Sequence, residues 1–291
     1  MTAPANNLQD FCERSLARDV PRELHAMAEF LRGKHEEAAA ILAYGSCLRG
    51  VAVSDTLMDF YVLTENLSDV STNIISRLAC AIIPPNVYYA ELKFEEQNLR
   101  AKYAVLPVSL FARWMSRDTN NPYFWARFSQ PSALIYARDE QARQLVIAAI
   151  SDALRTSFAN AKALTADSDT LVIWAVGFDA TYKSEFRSEK TNRAAHIVSA
   201  SIDYYTEAAR HLASEIPLHA NQTLRKFTGK IWSVLRLIKA AFTFQGGADY
   251  IVWKIERHSG EKIVLTPWQR KHPVMTGLLM LPTLLRKGAV H

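Results

Sequence analysis

The stretch "ILAYGSCLRGVAVSDTLMDFYVL", residues 41–63, decides the fold. It reads as a buried apolar strand that stops at Gly45, a Gly-Ser turn, a polar stretch, and a second strand carrying one acidic residue, Asp59. Glycine after a strand lets the backbone approach a ligand closely, and the following N–H and hydroxyl groups can face phosphate. A carboxylate on the adjacent strand can hold a divalent metal; Mg²⁺ prefers one or two carboxylates plus phosphate oxygens. Ser46 and Asp59 are separated by twelve residues, so the stretch can be a site for a metal-bound nucleoside triphosphate. A strand turn beside a surface aspartate has the same local pattern, and Tyr61 stands where a second carboxylate would be expected.

The flanking sequence extends this strand pair into a sheet. "VPRELHAMAEFLRGKHEEA" has helical spacing at Leu24, Met27, Phe30 and Leu31, with Pro21 suited to a first turn. "LSDVSTNIISRLACAI" reads as helical until Pro84-Pro85. "VYYAELKF" and "KYAVLPV" read as strands, "SLFARWMSR" starts a helix, and "NNPYFWARFSQP" is an irregular connector. The order αβαββ predicts a mixed sheet carrying helices. From residue 139 apolar residues recur with a period near 3.6, which predicts a helical region. His196 falls on such a pattern and is expected to be packed. "LRKFTGKIWSVLRLIKAAFTF" is a basic amphipathic helix, and "ADYIVWKIERHSGEKIVLT" fits either a helix or a hairpin. The expected organisation is α+β: a sheet domain over 1–138, a helical domain over 139–218, and a basic amphipathic region over 219–291.

The chain has 291 residues and 49% hydrophobic content, enough for one large domain or two ordinary ones. From His219 onward there are 12 Lys and Arg against 3 Asp and Glu, a net +9 that leaves −4 for the rest. A basic C-terminal quarter fits an anionic partner or a solvated basic face. Trp232, Trp253 and Trp268, half of the six tryptophans, also lie there. Lys226, Lys230 and Arg236 recur at helical spacing, with Ile231, Leu235, Ile238 and Phe242 on another face, as in a peripheral membrane helix. Cys12, Cys47 and Cys80 form no CxxC pair, which fits a reducing compartment. The N-terminus lacks a secretory pattern, and no apolar run has the ~18 residues of a spanning helix.

Five segments in order resemble the phosphatidate cytidylyltransferases of the mitochondrial translocator-assembly-and-maintenance type, within the nucleotidyltransferase superfamily. They are Tyr44-Gly45-Ser46 with Asp59-Phe60; "AKYAVLPVSLFARW" with Lys102, Tyr103 and Trp114; "WARFSQP" with Arg127 and Pro131; "TYKSEFR" with Tyr182, Glu185 and Arg187; and "KAAFTFQGGADYIVWKI". The sequence departs from the family pattern at Ala104, Gln130 and Glu185, where the family has Gly, Lys and Asp.

The resemblance implies a nucleotidyltransferase-like sheet, a helical domain contributing to the cleft with a winged-helix-like form as one option, and a basic C-terminal region on a membrane. It implies Mg²⁺-dependent transfer of CMP from CTP to phosphatidate. Asp59 and Glu185 would hold the metal and Lys102 would act beside them. Tyr44, Gly45, Ser46, Arg127 and Arg187 would bind nucleotide and phosphate. Asp59 and Glu185 are therefore expected to converge on one cleft. A cytoplasmic, peripheral location at the inner membrane face is expected, without a nucleic-acid partner. Other acceptors, namely a different phospholipid, a sugar phosphate or RNA, and a non-catalytic nucleotide-binding role remain alternatives.

Overall fold

A computed structural model describes residues 7–48, 57–119, 121–184, 193–219, 222–243, 252 and 265–271. The elements are, in order, α1 (Asn7–Leu16), α2 (Arg22–Lys34), β1 (Ala38–Tyr44), β2 (Met58–Thr64), α3 (Ile74–Ile82), β3 (Asn86–Phe94), β4 (Gln97–Pro107), α4 (Val108–Arg113), α5 (Trp125–Phe128), β5 (Ser132–Ala137), α6 (Glu140–Lys162), α7 (Thr170–Ser184), α8 (Arg193–Ser199), α9 (Ile202–His211), α10 (Gln222–Thr243) and α11 (Pro267–Lys271). The fold is α+β. The strands form one mixed sheet in the order β3-β4-β2-β1-β5. β1 is antiparallel to β2 and β5, β2 is parallel to β4, and β3 is antiparallel to β4.

The two faces of the sheet follow from side-chain alternation. On one face Tyr88, Tyr103, Phe60, Ala43 and Ala133 lie in one row across the strands. Helix α2 covers it, burying Leu24, Met27, Ala28 and Leu31 from a single stripe, and the His35 ring after its last turn packs on Tyr88 and Tyr103. On the opposite face Tyr61 meets Phe111 of α4 and Phe128 of α5. Helix α6 packs on β1, β5, α4 and α5.

Asp139 caps α6, its side chain accepting from Ala142 N–H. At 23 residues the helix is roughly 35 Å long, and it buries side chains toward both the sheet and the helical region. One continuous core therefore joins strand residues such as Val62 to Leu154, Phe158, Trp174 and Tyr205. Trp174 is fully buried between Phe158, Phe178 and Tyr205, and its indole N–H donates to Tyr205 O. α6 and α7 meet closely at Gly177, where an added Cβ would lie 2.6 Å from Ala161 Cβ.

Helix α10 is fixed at a depth that amphipathicity alone would not predict. Lys239 is 8% exposed and donates to Ile83 O at 2.6 Å and Pro85 O at 2.9 Å. Arg236 lies half-buried, turned toward the body, whereas Lys230 is exposed. Phe227, Ile231, Val234 and Leu235 form an exposed apolar stripe. His196 is exposed; the neighbouring Ile197 and Val198 are the buried residues of α8. The segment "ADYIVWKIERHSGEKIVLT" lies almost wholly outside the described residues. No helix among the described residues is long and apolar enough to cross a membrane. The three cysteines are buried thiols outside any disulfide.

Two stability effects follow. Gly177→Ala is expected to destabilise the protein in chemical denaturation, because overpacking costs about 1–3 kcal/mol against the roughly 1 kcal/mol that Ala gains over Gly in a helix. Adding Ala161→Gly should recover part of that loss. Burial lowers the Lys239 ammonium from its ordinary value to about 8. Above that pH the folded protein has released a proton that the unfolded chain still holds, so stability rises with pH. Between pH 8 and 10 the wild type should gain stability relative to Lys239→Met, measured by paired thermal unfolding.

Candidate functional site

β1 ends at Tyr44, and Gly45 turns the chain with φ +90°, a region that favours glycine. A Cβ built on Gly45 would lie 3.0 Å from Asp59 Oδ2. The glycine is thus required twice, by its backbone angle and by the carboxylate against its Cα. Ser46 then opens a 3-10 turn through Leu48, closed by Leu48 N–H donating to Gly45 O at 3.3 Å. Cys47 is buried in this turn with its thiol on Tyr44 O.

The register builds the site outward from Asp59. Tyr89, Lys102, Asp59, Tyr44 and Ser132 occupy one row across β3, β4, β2, β1 and β5. This row carries a polar atom on every strand. The next row inward on the same face is Val87, Ala104, Tyr61, Leu42 and Leu134, which is apolar apart from one phenol. The site is therefore the polar margin of an otherwise packed face.

Lys102 Nζ stands 3.2 Å from Asp59 Oδ1, with side chains 38% and 22% exposed. A pair this open to water contributes at most about 1 kcal/mol to stability; its effect is to set charge and position. Asp59 Oδ1 is buried, with the Lys102 ammonium beside it and no hydrogen bond to it among the described residues. A strand-borne carboxylate beside the Gly45–Ser46 turn is a group that could hold a hard cation together with phosphate oxygens, provided Lys102 moves aside. No cluster of three or more His, Cys, Asp and Glu occurs among the described residues.

Tyr61 is only 1% exposed and is enclosed by Tyr44, Phe111, Phe124 and Phe128. Burial pushes its phenol well above the usual tyrosine range, so it is neutral and cannot replace a carboxylate. Its hydroxyl accepts from Arg127 Nη1 at 3.3 Å. The same guanidinium donates to Tyr123 O and lies 4.2 Å from the Tyr123 ring and 5.6 Å from the Tyr44 ring. Arg127 is thus brought to the Tyr44–Tyr61 edge of the site, on the turn of α5.

Gln130 donates back to Ala126 O and belongs to its own turn. Asp179 and Lys183 form an i,i+4 pair on the surface of α7. Glu185 and Arg187 lie outside the described residues, as does Asp55, so the expected convergence of Asp59 and Glu185 concerns a segment not described. Tyr123 and Arg236 were not among the expected site residues. The Arg236 guanidinium lies 3.6 Å from the Tyr123 ring centroid. The four-residue interval from Tyr123 to Arg127 was the available sequence signal for the first contact; the second arises from tertiary packing.

Tyr61→Asp would restore a two-carboxylate pattern on β2 but place a charge among four aromatic rings. It is expected to destabilise the protein by about 3 kcal/mol or more in urea denaturation, from lost ring packing and charge burial. Tyr61→Phe should fold and weaken the anchoring of Arg127 alone. Compared with known proteins, the sequence matches no protein-family model and no curated protein at a significant level.

Proposed function

We propose that this chain is a Mg²⁺-dependent nucleotidyltransferase that moves CMP from CTP to phosphatidate, giving CDP-diacylglycerol and pyrophosphate. The observation that carries the reading is the Gly45 backbone held against the Asp59 carboxylate, with Lys102 across from it. A Gly-Ser turn over a strand-borne carboxylate is the local plan of a nucleotidyltransferase site, and the sheet is read as that type. The helical region after it is read as a cleft-forming domain of winged-helix type. CTP and the resemblance in five ordered segments stand together in this proposal.

The reaction forms a bond between a phosphatidate phosphate oxygen and the α-phosphorus of CTP. The α–β phosphoanhydride bond breaks, and pyrophosphate leaves with that electron pair. The attacking phosphate is already anionic, so the main obstacle is bringing two polyanions together. Orientation and charge neutralisation then supply most of the rate. Asp59, with Glu185 as the expected second acid, would hold Mg²⁺, which when bound supplies neutralising charge to the triphosphate. Gly45 and Ser46 face the triphosphate with N–H and hydroxyl donors. Lys102 stands beside the Asp59 carboxylate and can turn to a phosphate oxygen. Arg127 offers a planar fork suited to phosphate, fixed by Tyr61 and Tyr123, and Arg187 is assigned the same role. The protein would act at the inner face of a membrane, held peripherally by its basic C-terminal region.

The Lys102–Asp59 pair also favours a second reading, a nucleotide-binding protein without catalysis, because the carboxylate already has a counter-ion. One assay separates the two. Purified protein with CTP, Mg²⁺ and phosphatidate vesicles is expected to release pyrophosphate, and Asp59→Asn to lower the rate by roughly 100-fold, the scale of losing one electrostatic contact to a transition state. Undiminished release from Asp59→Asn would overturn the metal assignment. CTP binding by calorimetry without release would favour the non-catalytic reading, and release only with a sugar phosphate or RNA would replace the acceptor.

A further inference from the structure

We propose that the β3–β4 hairpin selects the base of the nucleotide, with Glu91 and Arg100 reading the edge of cytosine beside the Tyr89 ring. The assignment rests on the nucleotide half of the reading above and adds a base subsite to it. β3 and β4 stay paired beyond the ionic row, from Glu91 opposite Arg100 to Phe94 opposite Gln97. β1 ends at Tyr44 and β2 begins at Met58, so the hairpin reaches past the margin on which Gly45 and Asp59 lie. Side chains two apart on a strand share a face, which places Glu91 and Arg100 on the face of Tyr89, Lys102 and Asp59. Neighbouring strands are about 4.8 Å apart, so Tyr89, two strands from Asp59, stands roughly 10 Å from it. That separation matches the reach of an extended nucleotide from its phosphates to its base.

The three side chains form one connected group. Tyr89 Oη donates to Glu91 Oε1 at 2.7 Å, and Arg100 Nε donates to the same oxygen at 3.2 Å. A phenol that reaches the side chain two residues on has its ring laid along the strand, a flat surface against which a base can stack. Glu91 is exposed, and Tyr89 and Arg100 are half-buried. Glu91 Oε2 accepts no hydrogen bond among the described residues.

A carboxylate beside a guanidinium sets an acceptor next to a fork of donors. Cytosine presents the complement, the N4 amino donor beside two acceptors, N3 and O2. Glu91 would accept from the amino group, as acidic side chains do with cytosine N4 in nucleic-acid recognition, and Arg100 would donate to N3 and O2. Uracil reverses the first two groups and turns its O4 toward the carboxylate. Adenine has the amino group and one acceptor but lacks the second.

Calorimetry on the full chain with Mg²⁺ tests it, using CTP, UTP and inorganic triphosphate as probes. The Glu91–Arg100 pair is open to water and adds little to stability, so Glu91→Gln should fold. The wild type is expected to bind CTP about tenfold or more tightly than UTP. Glu91→Gln, whose amide can donate to O4, should erase most of that preference and leave the affinity for inorganic triphosphate unchanged. Tyr89→Leu should weaken both nucleotides and spare the triphosphate. Equal binding of CTP and UTP by the wild type, or a ratio unchanged in Glu91→Gln, overturns the assignment. Binding of neither nucleotide overturns it together with the nucleotide reading. A cytosine preference that depends on Glu91 without pyrophosphate release removes the transferase reading alone. Release with a preference indifferent to Glu91 removes this assignment alone.

Discussion

The approach of the Gly45 backbone to the Asp59 carboxylate is the constraint on which the site depends. A Cβ on Gly45 would crowd Asp59 Oδ2 at 3.0 Å, so the end of β1 passes close to the Asp59 side chain. The antiparallel pairing of β1 with β2 sets Tyr44 opposite Asp59, and the parallel pairing of β2 with β4 sets Lys102 on the other side. Since register fixes which side chains share a face, one glycine contact helps bring cation, anion and phenol to the same margin of the sheet.

Behind that margin the same face becomes aromatic within one row. Tyr61, Phe111, Phe124 and Phe128 exclude water from beneath the ionic row. Charges at the edge of such a wall are less screened than charges in open solvent. Tyr61 is therefore a foundation for the site, while its hydroxyl passes a directional contact to Arg127.

The parts of this arrangement that were legible in the sequence are the local ones. β1, the Gly-Ser turn and β2 are contiguous, and their apolar runs and turn residues announce them. α2 and α6 carry long periodic patterns. β5 gave a weaker signal: "SALIYA" is six residues directly after a proline, and its edge position comes from pairing with β1. The single turn of α5 inside the connector is too short to show a period. Asp59 and Gly45 could be singled out from spacing, and Lys102 only through resemblance. Arg236 could not, because its contact with Tyr123 joins residues over a hundred positions apart. His196 shows the opposite failure, an apolar pattern in which the buried positions are its neighbours.

The Tyr123 ring lies against two guanidiniums, Arg127 from the sheet connector at 4.2 Å and Arg236 from α10 at 3.6 Å. A ring shared by two cations ties the sheet connector to α10 through one side chain. The basic helix and the aromatic edge of the site thus meet on a single phenol ring.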